Sequence, residues 1–303
     1  MGKTREEKKG LNGVMQKSVL VTGASTGIGW ATSLELSNRG WRVFATVRKE
    51  ADAKELIEAS SGKITPVIMD IVDYESVKQG ALEIENALTG AGLDALFNNA
   101  GISVQGPAEI VPIEMFEKQF QVNVFGNLFV TQTFLPLIRK AQGTIVFMSS
   151  ESGQVTLPLM APYSGSKFAI EAVASALRKE LLPSKIRVSL VEAATIKTPM
   201  WDKVDTTTNK FLQCLSKKEK ELYAAELDTL IYFPKKQATM GMPMKKVVKV
   251  ILRALNARRP KPRYVVGWEA WALIILHKFF PTIIVDWVSS KLVRQLGTWL
   301  KPK

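Results

Sequence analysis

Cysteine and histidine are nearly absent from this 303-residue chain, which carries one of each, Cys214 and His277. That scarcity excludes a disulfide framework, a His/Cys metal site built within one chain, and a Ser-His-Asp triad unless His277 supplies its base. Long hydrophobic runs are missing too. Glu269, Lys278 and Asp286 interrupt the most apolar stretch, so nothing reaches the ~18 to 20 uncharged apolar residues of a membrane span. The first nine residues, MGKTREEKK, lack the apolar h-region of a secretory signal, and a cytoplasmic chain is expected. Acidic residues are scarce in one region only. Residues 235–303 hold 15 Lys or Arg against 2 Asp or Glu, so this segment carries the whole net charge of +13 and the first 234 residues are neutral overall.

What is present is a globular composition, 46% hydrophobic and 23% charged, with enough chain to bury a full core. From residue 18 to 200 a short β-branched run, a turn and an amphipathic stretch alternate, the pattern of a parallel sheet with crossover helices. Strands are predicted at 18–21, 42–46, 64–69, 93–97, 144–148 and 186–191, and helices at 29–39, 51–60, 74–88, 114–138 and 162–182. Runs such as IVFM and VSLV are apolar without alternation, as in strands covered on both faces. After Thr198 the pattern loosens into polar turns (DTTTN, 205–209), a helical insertion (KKEKELYAAELDTLIYF, 217–233), a helix over 244–256, a short RYVVG run and two Trp-containing amphipathic segments. The organisation expected is a polar tail over 1–14, one domain over 15–266 that includes a substrate-loop insertion at 199–244, and a basic, Trp-rich extension over 267–303.

TGASTGIG, Thr22 to Gly29, follows the first strand and opens the first helix. In that context Gly23 permits a tight turn, Gly27 lets backbone approach a ligand, Gly29 lets the helix pack closely, and the free N–H groups at the helix start face a pyrophosphate. Further along lie NNAG at 98–101, Asn123 in the following helix, Ser150 after the fifth strand, and YSGSK at 163–167. With its GxxxGxG spacing this series, in this order over about 150 residues, resembles the short-chain dehydrogenase/reductase family. RRPKPRYVVG at 258–267 with the segments after it looks like the 17β-hydroxysteroid and retinol dehydrogenase-like branch. The resemblance implies a Rossmann-type, doubly wound α/β fold with helices on both faces of the sheet, and a helical C-terminal extension. It also implies an oxidoreductase that moves hydride between a nicotinamide cofactor and an alcohol or carbonyl carbon.

Cofactor choice is read at the end of the second strand, where an acid bonds the ribose 2′-hydroxyl and a base pairs with a 2′-phosphate. Here ATVRK places Val47 where the acid would stand and Arg48 next to it. An Arg fork holds phosphate by charge-assisted bonds and Ser25 adds a hydroxyl, so NADP(H) is expected in preference to NAD(H). The resemblance implies cofactor contacts at Gly23, Ser25, Thr26, Gly27, Ile28, Gly29, Arg48, Asp70, Ile71, Asn98, Ala100, Tyr163, Lys167, Thr195, Ile196 and Thr198, with Asp70 holding the adenine amino group. One departure stands out. Where the family usually carries Pro-Gly after the sixth strand, EAATIKT has Ala193 and Ala194.

Tyr163 and Lys167 are four residues apart at a helix start and share a face. An amine beside a phenol favours phenolate, so the sequence predicts a Tyr163 pKa below the usual ~10. Ser150 is placed to hold a substrate oxygen. The resemblance makes Asn123, Ser150, Tyr163 and Lys167 the catalytic set, with Asn123 anchoring a water that connects Lys167 to solvent. The alternatives are a sugar-nucleotide epimerase or dehydratase, which shares the Tyr-x-x-x-Lys pair but has a GxxGxxG loop, and a non-catalytic dinucleotide-binding protein at a membrane surface.

Met200, Trp201, Phe211, Leu212 and Leu215 supply bulk without a charged anchor, which points to an apolar alcohol or ketone of steroid, retinoid, fatty or aromatic type. The tail joins its charge to Trp268, Trp271, Trp287 and Trp299. That combination fits an anionic membrane surface, on the cytosolic face, as a peripheral partner; packing on the domain or on a second subunit of a homo-oligomer is the plainer use of the same helices. No recognition motif accompanies the charge, so nucleic acid is not an expected partner.

Overall fold

The computed structural model describes residues 16–300; the tail expected over 1–14 and the basic Lys301 and Lys303 lie outside the described residues. Seven strands, β1 Ser18–Val21, β2 Arg42–Val47, β3 Ile64–Ile68, β4 Ala95–Asn98, β5 Thr144–Ser150, β6 Arg187–Ala193 and β7 Arg263–Val266, form one parallel sheet in the order β3-β2-β1-β4-β5-β6-β7. The order reverses between β1 and β4. The crevice outside the strand carboxyl ends at that switch point is where an open α/β sheet holds ligands.

Every β1 residue is buried, because helices cover both faces of the sheet. Val19, Val21, Val43 and Ala45 point to the side packed by α1 Gly27–Asn38, α2 Glu50–Ala59 and α10 Met244–Asn256. Leu20, Phe44 and Leu96 point to the side of α3 Tyr74–Leu88, α5 Asn127–Ala141 and α6 Ala161–Glu180. The two-residue alternation within each strand thus separates two cores across one sheet. Asp73 caps α3 by accepting from the Glu75 and Ser76 N–H groups, which fixes a start at Tyr74 as the sequence predicts.

Three elements differ from the expectation. The single helix predicted over 114–138 is α4 Ile113–Phe120 and α5 joined by a π-helical segment, Gln121–Gly126. The DTTTN run, expected as polar turns, lies within α7 Met200–Cys214, because Val204, Thr208 and Phe211 recur at helical spacing and are buried on one face. RYVV, which the sequence marks only as part of a short run, is β7, an outer strand that pairs in parallel with β6 from Leu190↔Arg263 to Ala193↔Val266.

The insertion forms α8 Lys217–Leu222, held by a Ser216/Glu219 capping box, and α9 Ala224–Met240. The chain ends in α11 Trp268–Phe279 and α12 Thr282–Leu300. One face of α12 packs on α9, where Thr229 Oγ1 donates to the Val293 carbonyl at 2.6 Å and Arg294 pairs with Glu226 at 2.6 Å. The other face is open: Ile283 is 79% and Trp299 74% exposed. Among the described residues no helix is long and apolar enough to cross a membrane.

Candidate active site

Two connected hollows open at the carboxyl edge of the sheet. The first is a groove of about 940 Å³ along the β1–α1 turn and the ends of β2 and β3, lined by Ser25, Thr26, Gly27, Arg48, Asp70 and Ile71 among others. Gly23 and Gly27 both have φ +65°, the left-handed region that an L side chain enters at a cost. A Cβ at Gly23 would lie 2.9 Å from Ala100 Cα, whereas at Gly27 nothing is closer than 3.8 Å. The loop is therefore tight below and open above. The N-cap residue Thr26 makes no side-chain bond to the α1 backbone, so the N–H groups of the first turn remain free for an anion. At the far end Arg48 extends with its side chain 70% exposed, Nη1 3.9 Å from Asp70 Oδ2. A dinucleotide fits this donor set, with phosphates at the α1 start and a cation at the adenosine end.

The second hollow, about 330 Å³, shares Ile28, Asn99, Gly101, Ile102 and Thr198 with the groove and runs from Ser150, Tyr163 and Lys167 toward the α7, α9 and α12 helices. Thr195 and Ile196 line it as well. Past the Ala193-Ala194 pair, Ala194 N–H bonds the Val266 carbonyl at 3.0 Å and Met242 N–H bonds the Thr195 carbonyl at 2.9 Å. The chain thus leaves β6 braced on both sides, with Thr195, Ile196 and Thr198 in the cavity wall. Met200 and Trp201 line the cavity, and Trp201 Nε1 donates to the Ile196 carbonyl at 2.8 Å. Phe211, Leu212 and Leu215, expected with them, instead pack into a satellite core with Val104, Leu227 and Val293.

Ser150 ends β5 and is buried; its Oγ donates to Glu151 Oε2 at 2.9 Å and accepts from Ser152 N–H at 3.2 Å. Lys167 is buried, donates from Nζ to the Met148 carbonyl at 2.9 Å, and sits 5.6 Å from the centre of the Tyr163 ring. Burial lowers its pKa to about 8, with Glu171 opposing the shift. The Tyr163 phenol differs from the expectation. Burial, reinforced by the Glu151 carboxylate and opposed by Ser150, pushes it above its ordinary value rather than below. The fall predicted from a Lys167 charge is outweighed by desolvation of the would-be phenolate.

Asn123 lies in the π-helical segment and does not line either hollow. Its Oδ1 accepts from Ile102 N–H at 2.9 Å, and its Nδ2 donates to the Ile102 carbonyl at 3.0 Å and to Ser166 Oγ at 3.1 Å. Asn98 is also turned away: it is buried and donates from Nδ2 to Thr131 Oγ1 at 2.8 Å. Its neighbour Asn99 lines both hollows and clamps the glycine loop through the Thr22 and Gly23 carbonyls at 2.9 and 3.1 Å. Gly29 packs beneath the loop rather than facing the groove, a Cβ there meeting Gly23 O at 2.4 Å.

The sequence reading missed Asn99, Gln119 and Asn127. Gln119 is fully buried and bonds Val104 N–H at 2.7 Å and the Ile102 carbonyl at 2.9 Å. Asn127 Nδ2 bonds the Ala100 carbonyl at 3.0 Å. The signal was available: Gln119, Asn123, Asn127 and Thr131 recur every four residues, a polar stripe on a face the helix buries against the loop after β4.

A glycine-loop groove at the switch point of a parallel sheet, joined to a cavity that holds Ser, Tyr and Lys, defines an oxidoreductase of the dinucleotide-binding type. The chain belongs to the short-chain dehydrogenase/reductase family, NAD(P)-dependent enzymes that act on CH–OH groups: the family model for short chain dehydrogenase matches residues 17–209. It is 36% identical to the NADPH-dependent 3-dehydrocapnine reductase of Ornithobacterium rhinotracheale, over 91% of this chain and 97% of that protein. It is 31% identical to 17-beta-hydroxysteroid dehydrogenase type 6 of Bos taurus (98% and 93% covered) and 31% identical to retinol dehydrogenase 5 of Homo sapiens (94% and 89%).

Proposed function

We propose that the protein interconverts an alcohol and its carbonyl on an apolar substrate, using NADP(H) in preference to NAD(H) and Tyr163 as acid and base. The carrying observation is the joined pair of hollows, which brings Ser150, Tyr163 and Lys167 to the mouth of the glycine-loop groove and surrounds them with Met148, Leu157, Trp201, Phe233 and Leu296. The nicotinamide, when bound, exchanges a hydride with the substrate carbon. Ser150 holds the substrate oxygen, and Tyr163, kept protonated at neutral pH by burial, donates its proton to that oxygen in the reductive direction. Lys167 supplies a fixed cation, 5.6 Å from the Tyr163 ring centre, that compensates the charge left on it. Asn123 has its side-chain amide committed to Ile102 and Ser166, so its backbone carbonyl, which accepts from Asn127 Nδ2 at 3.2 Å, is the atom we assign to a water that relays protons to Lys167. Turnover of a panel of steroids, retinoids, fatty and aromatic ketones with NADPH and NADH side by side tests the reading. No turnover of any apolar carbonyl with either cofactor sinks it.

The NADP(H) preference rests on Val47 and Arg48, and the NADPH dependence in a relative's name points the same way. Arg48→Ala is expected to raise the NADPH dissociation constant by roughly 10- to 150-fold, the loss of one charged contact worth about 1.5–3 kcal/mol, and to leave NADH binding nearly unchanged. Equal losses for both cofactors in a fluorescence titration would refute the assignment.

The open face of α11 and α12, with Trp268, Phe279, Ile283, Trp287 and Trp299 exposed beside Lys278 and Lys291, supports peripheral docking on an anionic bilayer. Co-sedimentation is expected to be stronger with acidic than with neutral vesicles at low salt. Salt near 0.1 M should weaken it, since screening then acts within about 10 Å. Absence of that preference, with a dimer in analytical ultracentrifugation, would assign the face to a second copy of the chain.

A further inference from the structure

We infer that Glu151 is a positioning residue for Ser150: its protonation state decides whether the serine can offer its one hydroxyl proton to the substrate oxygen. The inference deepens the function proposed above and rests on it.

Glu151 follows Ser150 directly and opens the 3-10 turn Glu151–Gly153. It is half-buried and lines the cavity beside Tyr163. A serine hydroxyl has a single proton and two lone pairs. Of the two acceptors within reach of that proton, Glu151 Oε2 at 2.9 Å is closer than the Ala193 carbonyl at 3.4 Å, while a lone pair takes the Ser152 N–H. An ionised carboxylate can only accept, and it holds the proton in a charge-assisted bond stronger than a neutral carbonyl offers. Ser150 would then meet a substrate carbonyl with lone pairs alone. A neutral Glu151 donates instead to Ser150 Oγ, and the serine proton turns toward the substrate.

The surroundings favour the neutral form. Among the described residues no cation pairs with Glu151: Arg263 from β7 is taken by Glu192 at 2.8 Å and Glu171 at 2.5 Å, and Lys167 from α6 by the Met148 carbonyl. Glu192 from β6, which also accepts from Gln154, and Glu269 from α11 add negative charge. Desolvation is the largest cause, and together these raise the carboxyl to about 7, with the Ser150 bond opposing. Ionised Glu151 also pushes the Tyr163 phenol further up. Its ionisation therefore removes the donor on Ser150 and disfavours the charge that Tyr163 acquires, and both effects slow carbonyl reduction.

Reductive kcat/KM, followed from about pH 5.5 to 9 with the best panel substrate, is expected to fall as pH rises through the Glu151 titration near 7. In Glu151→Gln, whose amide donates to Ser150 at every pH, that limb moves up by at least about one unit, toward the Lys167 limb near 8. Glu151→Leu, which has no carboxylate to take the proton, shows the same shift. Glu171→Gln controls for the other carboxyl raised to about 7 and shows no upward shift, since loss of Glu171 can only lower the Lys167 limb. An unmoved limb in both Glu151 variants overturns the inference, and so does a limb that moves up in Glu171→Gln alone. Tyr163→Phe separates the two readings: if it is inactive and the limb is unmoved, only the Glu151 assignment falls. An infrared pH titration without substrate reads the same proton directly, as one protonated carboxyl fewer in Glu151→Gln below pH 7; an equal number in both proteins overturns the assignment.

Discussion

Tyr163→Phe is expected to lower kcat by roughly 10²- to 10⁴-fold, a loss of about 2.7–5.4 kcal/mol of transition-state stabilisation, with cofactor affinity unchanged. Carbonyl reduction needs a proton as well as a hydride. Four groups with exchangeable protons line the cavity near the proposed reaction point, Ser150, Glu151, Tyr163 and Lys167, and the Glu151 carboxyl, which borders Ser150 at 2.9 Å, gives its proton to the serine rather than to substrate. An aliphatic hydroxyl is too weak an acid to give its proton up, so Ser150 can only share it. Lys167 is buried and its Nζ is engaged with the Met148 carbonyl, 5.6 Å from the Tyr163 ring centre. Tyr163 remains, and burial keeps it protonated. The substitution removes only that O–H and leaves the ring packing, so a folding defect does not confuse the result. Phenylalanine keeps the ring beside the cofactor and loses only the hydroxyl, which is why NADPH titration of the variant should nearly match the wild type. Turnover within threefold of wild type would require another proton donor.

The division between what the residues announce and what only the fold reveals follows the range of the interactions involved. β1, β5 and β6 are legible because strands buried on both faces must be continuously apolar, and α3 because Asp73 caps it locally. The glycine loop is legible because its spacing answers to one helix start and one strand end. α7 is not, since its buried face of Val204, Thr208 and Phe211 is satisfied by partners elsewhere in the chain, Val104 and Val111 among them, and its polar residues look like a turn from sequence alone. The same holds for the cavity wall. α12 contributes Leu292, Val293 and Leu296, more than a hundred residues from Tyr163, and its period shows an apolar face without showing what that face covers. Asn98 and Asn99 are adjacent and chemically identical, so only the direction of each side chain at the end of β4 tells which one reaches the groove.

Gly29→Ala is expected to damage both stability and cofactor binding, and to weaken NADPH and NADH alike. A Cβ built at residue 29 lies 2.4 Å from the Gly23 carbonyl oxygen and 2.6 Å from Asn99 Nδ2, distances no methyl group tolerates. Neither neighbour can yield cheaply. Gly23 O is backbone of the loop itself, and Asn99 Nδ2 is the donor that ties the Thr22 and Gly23 carbonyls to the end of β4. The α1 start must therefore lift away from the loop or Asn99 must release it, and in either case the free N–H groups of the first α1 turn no longer converge on one point. Overpacking of this kind costs about 1–3 kcal/mol, and the misdirected donors cost affinity in addition. Because the pyrophosphate is common to both cofactors, the loss should not discriminate between them, in contrast to Arg48→Ala, proposed above to act on the 2′-phosphate. Gly62→Ala supplies the control. At φ +74°, with nothing within 4 Å of its added Cβ and no place in either hollow, it imposes backbone strain alone, about 1–2 kcal/mol. Thermal unfolding should fall in both variants, whereas titration with NADPH and NADH should change only in Gly29→Ala. Wild-type affinity for both cofactors in Gly29→Ala would mean that the loop does not hold the phosphates.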